Sequence, residues 1–363
     1  MGKRIVVVAM SGGVDSSVAA ALLKAQGWEV IGITMCFNLA DSSSRHPNCC
    51  GLSGIDDARR IAHKLGIRHY VLNMQKYLDE YVIKDFCLEY LRGRTPNPCI
   101  RCNQYIKFGT LLKKAFSLGA AFLATGHYSR IKKRKSGYQL HKARDQHKDQ
   151  SYFLYRLSQV QLKHLLFPLG EYTKDETRQK AREFDLAVAD KLESQEICFL
   201  PDTDYRKFLK DGAPKIKKWV NREIKPGPIL DREGRVLGEH KGIAFYTIGQ
   251  RQGLGIAAGY PLYIIKIDPK NNAITVGKKE ETLARDFLVK QTHFISRPIK
   301  KKVALKVKIR YNHQEAEAAI MPCNDKLRVH FIKPQFAITP GQSAVFYDKD
   351  KVVGGGIIDK VLS

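Results

Sequence analysis

Over residues 4–73 the chain alternates short apolar runs with stretches of helical periodicity. Apolar runs fall at 5–9, 30–34 and 69–72, and between them lie helical stretches at 16–26, stopped by Gly27, and near 55–65, stopped by Gly66. Apolar strands separated by capped helices require right-handed crossovers, and hence a parallel sheet covered on both faces. A further helix at 77–91, a loop at 93–98, a helix at about 107–118 and a strand at 121–125 extend the pattern. The fold class expected is α/β: an open, doubly wound parallel sheet occupying residues 1–205.

The character changes after about residue 204. Residues 210–225 are basic and irregular, Pro226-Gly227-Pro228 breaks any helix, and short strand-like runs with glycine turns follow, including the glycine-rich stretch 249–255. A small β-rich central domain is expected at 206–280. The last segment, 281–363, reads as several short strands of a β-barrel. Its clearest alternation puts Val303, Leu305, Val307 and Ile309 on one face and Ala304, Lys306, Lys308 and Arg310 on the other. No internal repeat and no long low-complexity tract interrupts this three-domain division.

Charge narrows the partners. The 363 residues carry 62 Lys and Arg against 36 Asp and Glu, a formal net charge of +26. Such an excess favours a polyanion, because each neutralised phosphate releases condensed counterions; a lysine surplus that only keeps an enzyme soluble would give the same count. No apolar run approaches the roughly 20 residues of a membrane span, and the amino terminus lacks the features of a signal peptide. A cytoplasmic protein with no membrane partner is expected. Eight cysteines in a chain of this length do not make a disulfide scaffold and imply a reducing compartment.

The first strand runs into Met10-Ser11-Gly12-Gly13-Val14-Asp15-Ser16-Ser17 and then a helix. Two glycines allow close backbone approach, and the helix amino terminus adds amides and partial positive charge, together a phosphate site. Ser11, Ser16 and Ser17 add hydroxyl donors, and Asp15 is positioned to hold Mg2+ against a pyrophosphate. The Walker Gly-Lys-Ser/Thr is missing, which argues against a P-loop phosphotransferase. The segment instead resembles the Ser-Gly-Gly-x-Asp-Ser loop of the ATP pyrophosphatase (PP-loop) superfamily, which implies cleavage of ATP between its α and β phosphates and adenylation of a substrate oxygen.

Cys99 and Cys102 lie in Asn97-Pro98-Cys99-Ile100-Arg101-Cys102-Asn103, read as a loop preceding a helix. A helix start and the neighbouring Arg101 would lower a thiol pKa from about 8.5 and raise the thiolate fraction. The pair also suits a metal or a redox dithiol, and Cys198, in Ser194-Gln195-Glu196-Ile197-Cys198-Phe199, would be the third ligand. Taken alone, Cys198 also reads as a small buried hydrophobe. Cys87 lies on the apolar side of its helix and reads as core; Cys36, Cys49, Cys50 and Cys323 have no spacing that compels a function.

Together these segments resemble the bacterial tRNA-specific 2-thiouridylase family from end to end. The matching stretches are the pyrophosphatase loop, Thr95-Pro96-Asn97-Pro98 with Cys102-Asn103 and Ile106-Lys107-Phe108, Ala124-Thr125-Gly126-His127-Tyr128, Lys148-Asp149-Gln150-Ser151-Tyr152, the Cys198 motif and Thr247-Ile248-Gly249-Gln250-Arg251. The resemblance implies ATP-dependent 2-thiolation of the wobble uridine, position 34, of tRNA. ATP adenylates the uridine 2-oxygen, a persulfide on Cys198 supplies sulfur, and Cys102 completes the transfer. It assigns Ala9, Met10, Ser11, Gly12, Gly13, Val14, Asp15, Ser16, Met35 and Gly126 to ATP. It assigns Asn97, Pro98, Cys99, His127, Lys148, Asp149, Gln150, Arg310, Tyr311 and Gln342 to tRNA.

The implied partners are the tRNAs for Lys, Glu and Gln and a sulfur donor such as a cysteine desulfurase or sulfur-relay protein. Two basic clusters fit an RNA partner: residues 128–150 hold eight Lys or Arg against two Asp, and residues 296–310 hold seven with no acid. The base must also leave its stack to reach a buried nucleotide and two thiols. Family members carry either aspartate or cysteine at the position of Cys99. With cysteine here, Cys99, Cys102 and Cys198 would also suit a [4Fe–4S] cluster with one open iron. Two further readings stand beside this one: a small-molecule adenylating synthetase on the same scaffold, and a non-catalytic RNA-binding protein with a vestigial nucleotide fold.

Overall fold

Three consecutive valines make Ile5–Ala9 (β1) a strand buried on both faces, with Val6, Val7 and Val8 fully excluded from solvent. Glu29–Cys36 (β2), Arg68–Asn73 (β3) and Phe122–Ala124 (β4) lie beside it. A hairpin follows, Arg130–Arg134 (β5) with Gly137–His141 (β6), and Leu165–Leu166 (β7) then returns to the sheet. The strand order is β3-β2-β1-β4-β7, every pair parallel. Helix Val14–Ala25 (α1) leaves the carboxyl end of β1, and Leu52–Lys64 (α2) connects β2 to β3. The strand order reverses between β1 and β4, and in such sheets the crevice outside the carboxyl ends of those two strands is the ligand site.

The computed structural model describes residues 4–37, 52–192, 197–200, 204–211 and 224–362. They form two units: Met1–Val82 with Cys99–Tyr205 and Asp350–Val352, and Ile83–Pro98 with Arg206–Lys349 and Val353–Ser363. In the first, Val6, Val8, Val18, Leu23, Ala124 and Leu186 are among the residues of one apolar core.

The second unit holds two β structures. Gly227–Leu230 (β8), Val236–His240 (β9), Tyr263–Asp268 (β10) and Ala273–Gly277 (β11) form a sheet of order β10-β11-β8-β9. Leu283–Phe294 (β12), Val303–Lys308 (β13), Ala316–Cys323 (β14), Lys326–Phe336 (β15), Ser343–Asp348 (β16) and Lys351–Leu362 (β17) follow. They run β12-β15-β14-β13-β16-β17, and pairing of β12 with β17 closes the barrel. Val307 and Ile309 enter its core with Phe287, Val329 and Phe346, while Ala304 and Lys306 stay exposed, as the alternation predicts.

Three local expectations need correction. The segment read as a loop ahead of the 107–118 helix is already helical: Pro98–Arg101 is a turn of α-helix, Cys102–Leu111 continues with π-type winding, and Leu112–Ser117 returns to α. Proline at a first helical position gives up only a donor with no intrahelical acceptor, so Pro98 opens the helix and carries Cys99 and Cys102 into it. The helix expected at 77–91 is wound in three pieces, Gln75–Leu78, a π turn over Asp79–Ile83, and Lys84–Leu91. Residues 130–141, read only as basic, form a hairpin. The basic stretch 210–225 falls largely outside the described residues, as do Cys49, Cys50 and Ser194 to Glu196.

Candidate active site

The loop after β1 is shaped by its own hydroxyls. The Ser11 amide donates to Ser16 Oγ at 3.1 Å, and the hydroxyls of Ser16 and Ser17 donate to the Gly13 carbonyl at 3.2 and 2.8 Å. Gly12 adopts φ +73°, and a Cβ there would fall 2.1 Å from the Gly54 carbonyl oxygen of α2. Gly126, just past β4, lies so close to the start of α1 that a Cβ would meet the Ser16 amide nitrogen at 2.8 Å. Gly13 caps α1 with extended backbone and, being glycine, offers no side chain of its own to the first-turn amides. Ala9, Met10 and Val14 are held by the strand and helix on either side, and half-buried Met35 sits at the end of β2.

Two lysines that the sequence reading missed stand at this loop. Lys174 is 7% exposed, and its ammonium donates to Asp15 Oδ1 at 2.7 Å, the oxygen that also accepts the Tyr128 hydroxyl at 2.9 Å. Lys191 donates to the Gly12 carbonyl at 3.1 Å and to Asp57 Oδ2 at 2.6 Å. Burial opposes the charge on Asp57, but the hydrogen bonds and charges of Lys191 and Arg60 overcome it and hold the carboxyl below the usual range. The sequence does carry a signal for Lys174. Thr173 and Glu176 form a capping box, which makes Lys174 the first residue of helix Lys174–Glu183, where the helix dipole disfavours a cation unless an anion is supplied.

Asp15 thus meets an ammonium where a metal ion was expected. Among the described residues no three His, Cys, Asp or Glu side chains form a group able to hold a metal ion. Cys99, Cys102 and Cys198 are thus not gathered into such a group, and the Asp15 carboxylate is engaged by Lys174 and Tyr128. Magnesium would come as the counterion of ATP.

His127 follows Gly126, and its ring lies 5.7 Å from Phe108 and 5.9 Å from Phe167, with Nδ1 2.7 Å from Thr125 Oγ1. Desolvation, reinforced by the charge of Lys107, holds its pKa well below the ordinary value, so the imidazole is neutral near pH 7. Asp149 is buried and pins a turn, accepting the amides of Ala143 and Ser151 at 3.0 and 3.2 Å and the Ser151 hydroxyl at 2.7 Å. Gln150 Oε1 accepts the Tyr128 amide at 3.0 Å and so steadies the tyrosine that reaches Asp15. Lys148 beside them is half-buried.

Cys99 is exposed and Cys102 half-buried, on the helix that begins at Pro98. Cys198 is half-buried, in a turn closed by the Leu200 amide on the Ile197 carbonyl and anchored by buried Phe199 and Leu200. All three belong to the first unit, with the phosphate loop. Cys87 is core, its thiol pushed up to about 12 by burial.

In the second unit, Gln342 donates to the carbonyls of Thr95 and Pro96 at 3.0 and 3.1 Å, the Thr95 amide donates to the Pro340 carbonyl at 2.9 Å, and Arg94 donates to the carbonyls of Ile358 and Asp359. Asn97 and Pro98 therefore end a loop held to the barrel. Arg310 donates to the Ala337 carbonyl and to Thr339 Oγ1, and the Tyr311 ring lies 5.4 Å from the Lys308 ammonium.

Three family models match the chain in succession: the tRNA methyl transferase HUP domain at residues 4–202, the tRNA methyl transferase PRC-barrel domain at 216–278, and the aminomethyltransferase β-barrel domain at 284–358. The tRNA-specific 2-thiouridylase MnmA 1 of Caldanaerobacter subterraneus subsp. tengcongensis is 51% identical over 362 residues, 98% of each chain. The chain belongs to the tRNA-specific 2-thiouridylase family. A second 2-thiouridylase, MnmA of Halothermothrix orenii, is 50% identical over 97% of this chain and 98% of its own. Transferases of other groups lend their names to the domain models, but identity across the full length follows the 2-thiouridylases, and the activity is sulfur transfer to tRNA. The U34-tRNA thiolase NcsA from Methanococcus maripaludis, solved with its [4Fe-4S] cluster, is 20% identical over 60% of this chain and 70% of that one, with a TM-score of 0.35; that likeness is too loose to bear on chemistry.

Proposed function

We propose that this 2-thiouridylase uses ATP to adenylate O2 of the wobble uridine, position 34, and exchanges that oxygen for sulfur carried as a persulfide on Cys198. The observation that carries the reading is the glycine-capped start of α1 behind the Ser11 to Ser17 loop, at the reversal of strand order. Its amides and dipole suit a polyphosphate, and Gly126 leaves the backbone of α1 close to β4. Ala9 to Ser16, Met35 and Gly126 take the nucleotide, which brings its own Mg2+.

In the first step uridine O2 attacks the α phosphorus, pyrophosphate leaves and the N3 proton is lost. The terminal sulfur of the Cys198 persulfide then attacks C2 and AMP departs. Cys102 thiolate attacks Cys198 Sγ, the new Cys102–Cys198 disulfide forms, and thiolated tRNA leaves; a dithiol reductant resets the enzyme. A half-buried cysteine on a helix and another in an anchored turn, both in the unit of the phosphate loop, support these roles. The persulfide is preferred to the cluster because Glu196-Ile197-Cys198-Phe199 matches the family's motif whole.

Asn97, Pro98, Cys99, His127, Lys148, Asp149, Gln150, Arg310, Tyr311 and Gln342 serve the RNA. For Asp149, Gln150, Arg310 and Gln342 we infer service through the loops that they hold. Neutral His127 offers a hydrogen bond without charge. Domain boundaries at 1–205, 206–280 and 281–363, tRNAs for Lys, Glu and Gln, a cysteine desulfurase or relay protein as donor, and a cytoplasmic location complete the proposal. Among the described residues no helix is long and apolar enough to cross a membrane.

The test is reconstitution with ATP, Mg2+, a persulfide donor and unmodified tRNA bearing uridine 34, with nucleosides read by mass spectrometry. Formation of 2-thiouridine, abolished in Cys198→Ser and Cys102→Ser, is expected. Undiminished product from Cys198→Ser would remove the persulfide role.

A further inference from the structure

Lys174 has no part in the reaction just described, yet the fold places it where a cation is costly. It opens a helix at the end that disfavours cations, it is almost wholly buried, and a buried ammonium needs an anion beside it. Asp15 supplies one at 2.7 Å, and Tyr128, itself hydrogen-bonded to Thr177 Oγ1 at 3.0 Å on the same helix, fixes the same carboxylate oxygen. The relation also runs the other way. Asp15 stands in the first turn of α1, among the amides that a polyphosphate would use, and a bare carboxylate there would repel it.

We propose that Lys174 is a positioning residue for ATP: it neutralises and aims the Asp15 carboxylate so that the start of α1 accepts a polyphosphate. The depth of the two groups supports action through Asp15. The lysine side chain is 9% exposed and the aspartate 31%, so the aspartate is the more accessible member of the pair. This inference rests on the reading of the loop as an ATP site.

Binding of MgATP and of adenosine to the full chain, measured by calorimetry, tests it. Lys174→Met is expected to weaken MgATP about tenfold or more while changing adenosine less than about twofold, because the unneutralised carboxylate repels phosphates and not a neutral nucleoside. In Lys174→Met/Asp15→Asn the repulsion is gone, and MgATP affinity returns to within about threefold of Asp15→Asn alone, the non-additivity expected of a direct pair.

Wild-type protein that binds no MgATP would defeat the nucleotide reading itself. Wild-type binding matched by an undiminished Lys174→Met would overturn this inference alone, as would a double variant no better than Lys174→Met. Should Lys174→Met lose its melting transition, Lys174→Arg, which keeps the cation, must bind MgATP within about threefold of wild type. A larger loss there overturns the proposal.

Discussion

Gly12 joins backbone conformation to chemistry. Its φ of +73° and the Gly54 carbonyl 2.1 Å from a built Cβ leave no room for a side chain. Gly12→Ala forfeits about 1–2 kcal/mol from the left-handed backbone alone, and the clash with α2 adds to it; thermal melts should shift down and MgATP binding should be lost. His127 gives a prediction in pH. Its folded pKa lies well below the usual 6.5, so between the two values the unfolded chain takes up a proton that the folded chain refuses. The stability it contributes is complete above pH ~6.5 and is lost as pH falls from there toward the folded value. His69, His141, His240 and His313 are shifted the same way and add to the trend, so the difference between wild type and His127→Asn isolates this residue. Denaturation at several pH values should show a shallower acid-side loss in the variant; an unchanged slope would contradict a neutral, desolvated ring.

Among elements, the loop after helix Lys84–Leu91 shows how a sequence motif becomes position. Arg94 reaches Glu89 at 2.7 Å as well as two barrel carbonyls, and Gln342 holds the next two residues. Burial raises the cost of charge on Glu89, but Arg94 and Arg92 outweigh it and keep the carboxyl below the usual range. Arg94→Met takes one of two arginines from that carboxylate and both hydrogen bonds from the barrel carbonyls, at a cost of about 1–3 kcal/mol, and Gln342→Ala costs about 1–2 kcal/mol, both readable by urea denaturation. The parallel sheet was legible because β1 and β2 are apolar runs separated by a helical stretch that Gly27 stops. The hairpin of β5 and β6 was not, because Arg130, Lys132, Lys133 and Arg134 hide its alternation, and β7, Leu165–Leu166, is too short to have a period. The strand-to-helix turn of Ser11 to Ser16 was legible, since its glycines and hydroxyls shape it locally. The lysines at 174 and 191 were not, because they meet Asp15 and Gly12 across 159 and 179 residues of chain and only the fold brings them there.

For the whole molecule, the +26 charge sets how tRNA is held. The basic hairpin lies in the first unit and the basic stretch before β13 in the second. Affinity for tRNA should fall steeply with salt. Replacing Lys132, Lys133, Arg134 and Lys135 with serine should lower the log–log slope by about 0.7–0.9 for each phosphate left without a cation. Fluorescence anisotropy over a salt series reads this directly, and an unchanged slope would mean that the hairpin faces no RNA. Everything downstream of tRNA binding depends on what Cys198 carries. Protein purified without oxygen, loaded from a persulfide donor and divided between an iron and sulfide assay and mass spectrometry of thiol-labelled peptides, answers it most directly. One extra sulfur on Cys198 with no stoichiometric iron is the predicted result, whereas four irons and four sulfides per chain, lost on Cys198→Ser, would contradict it.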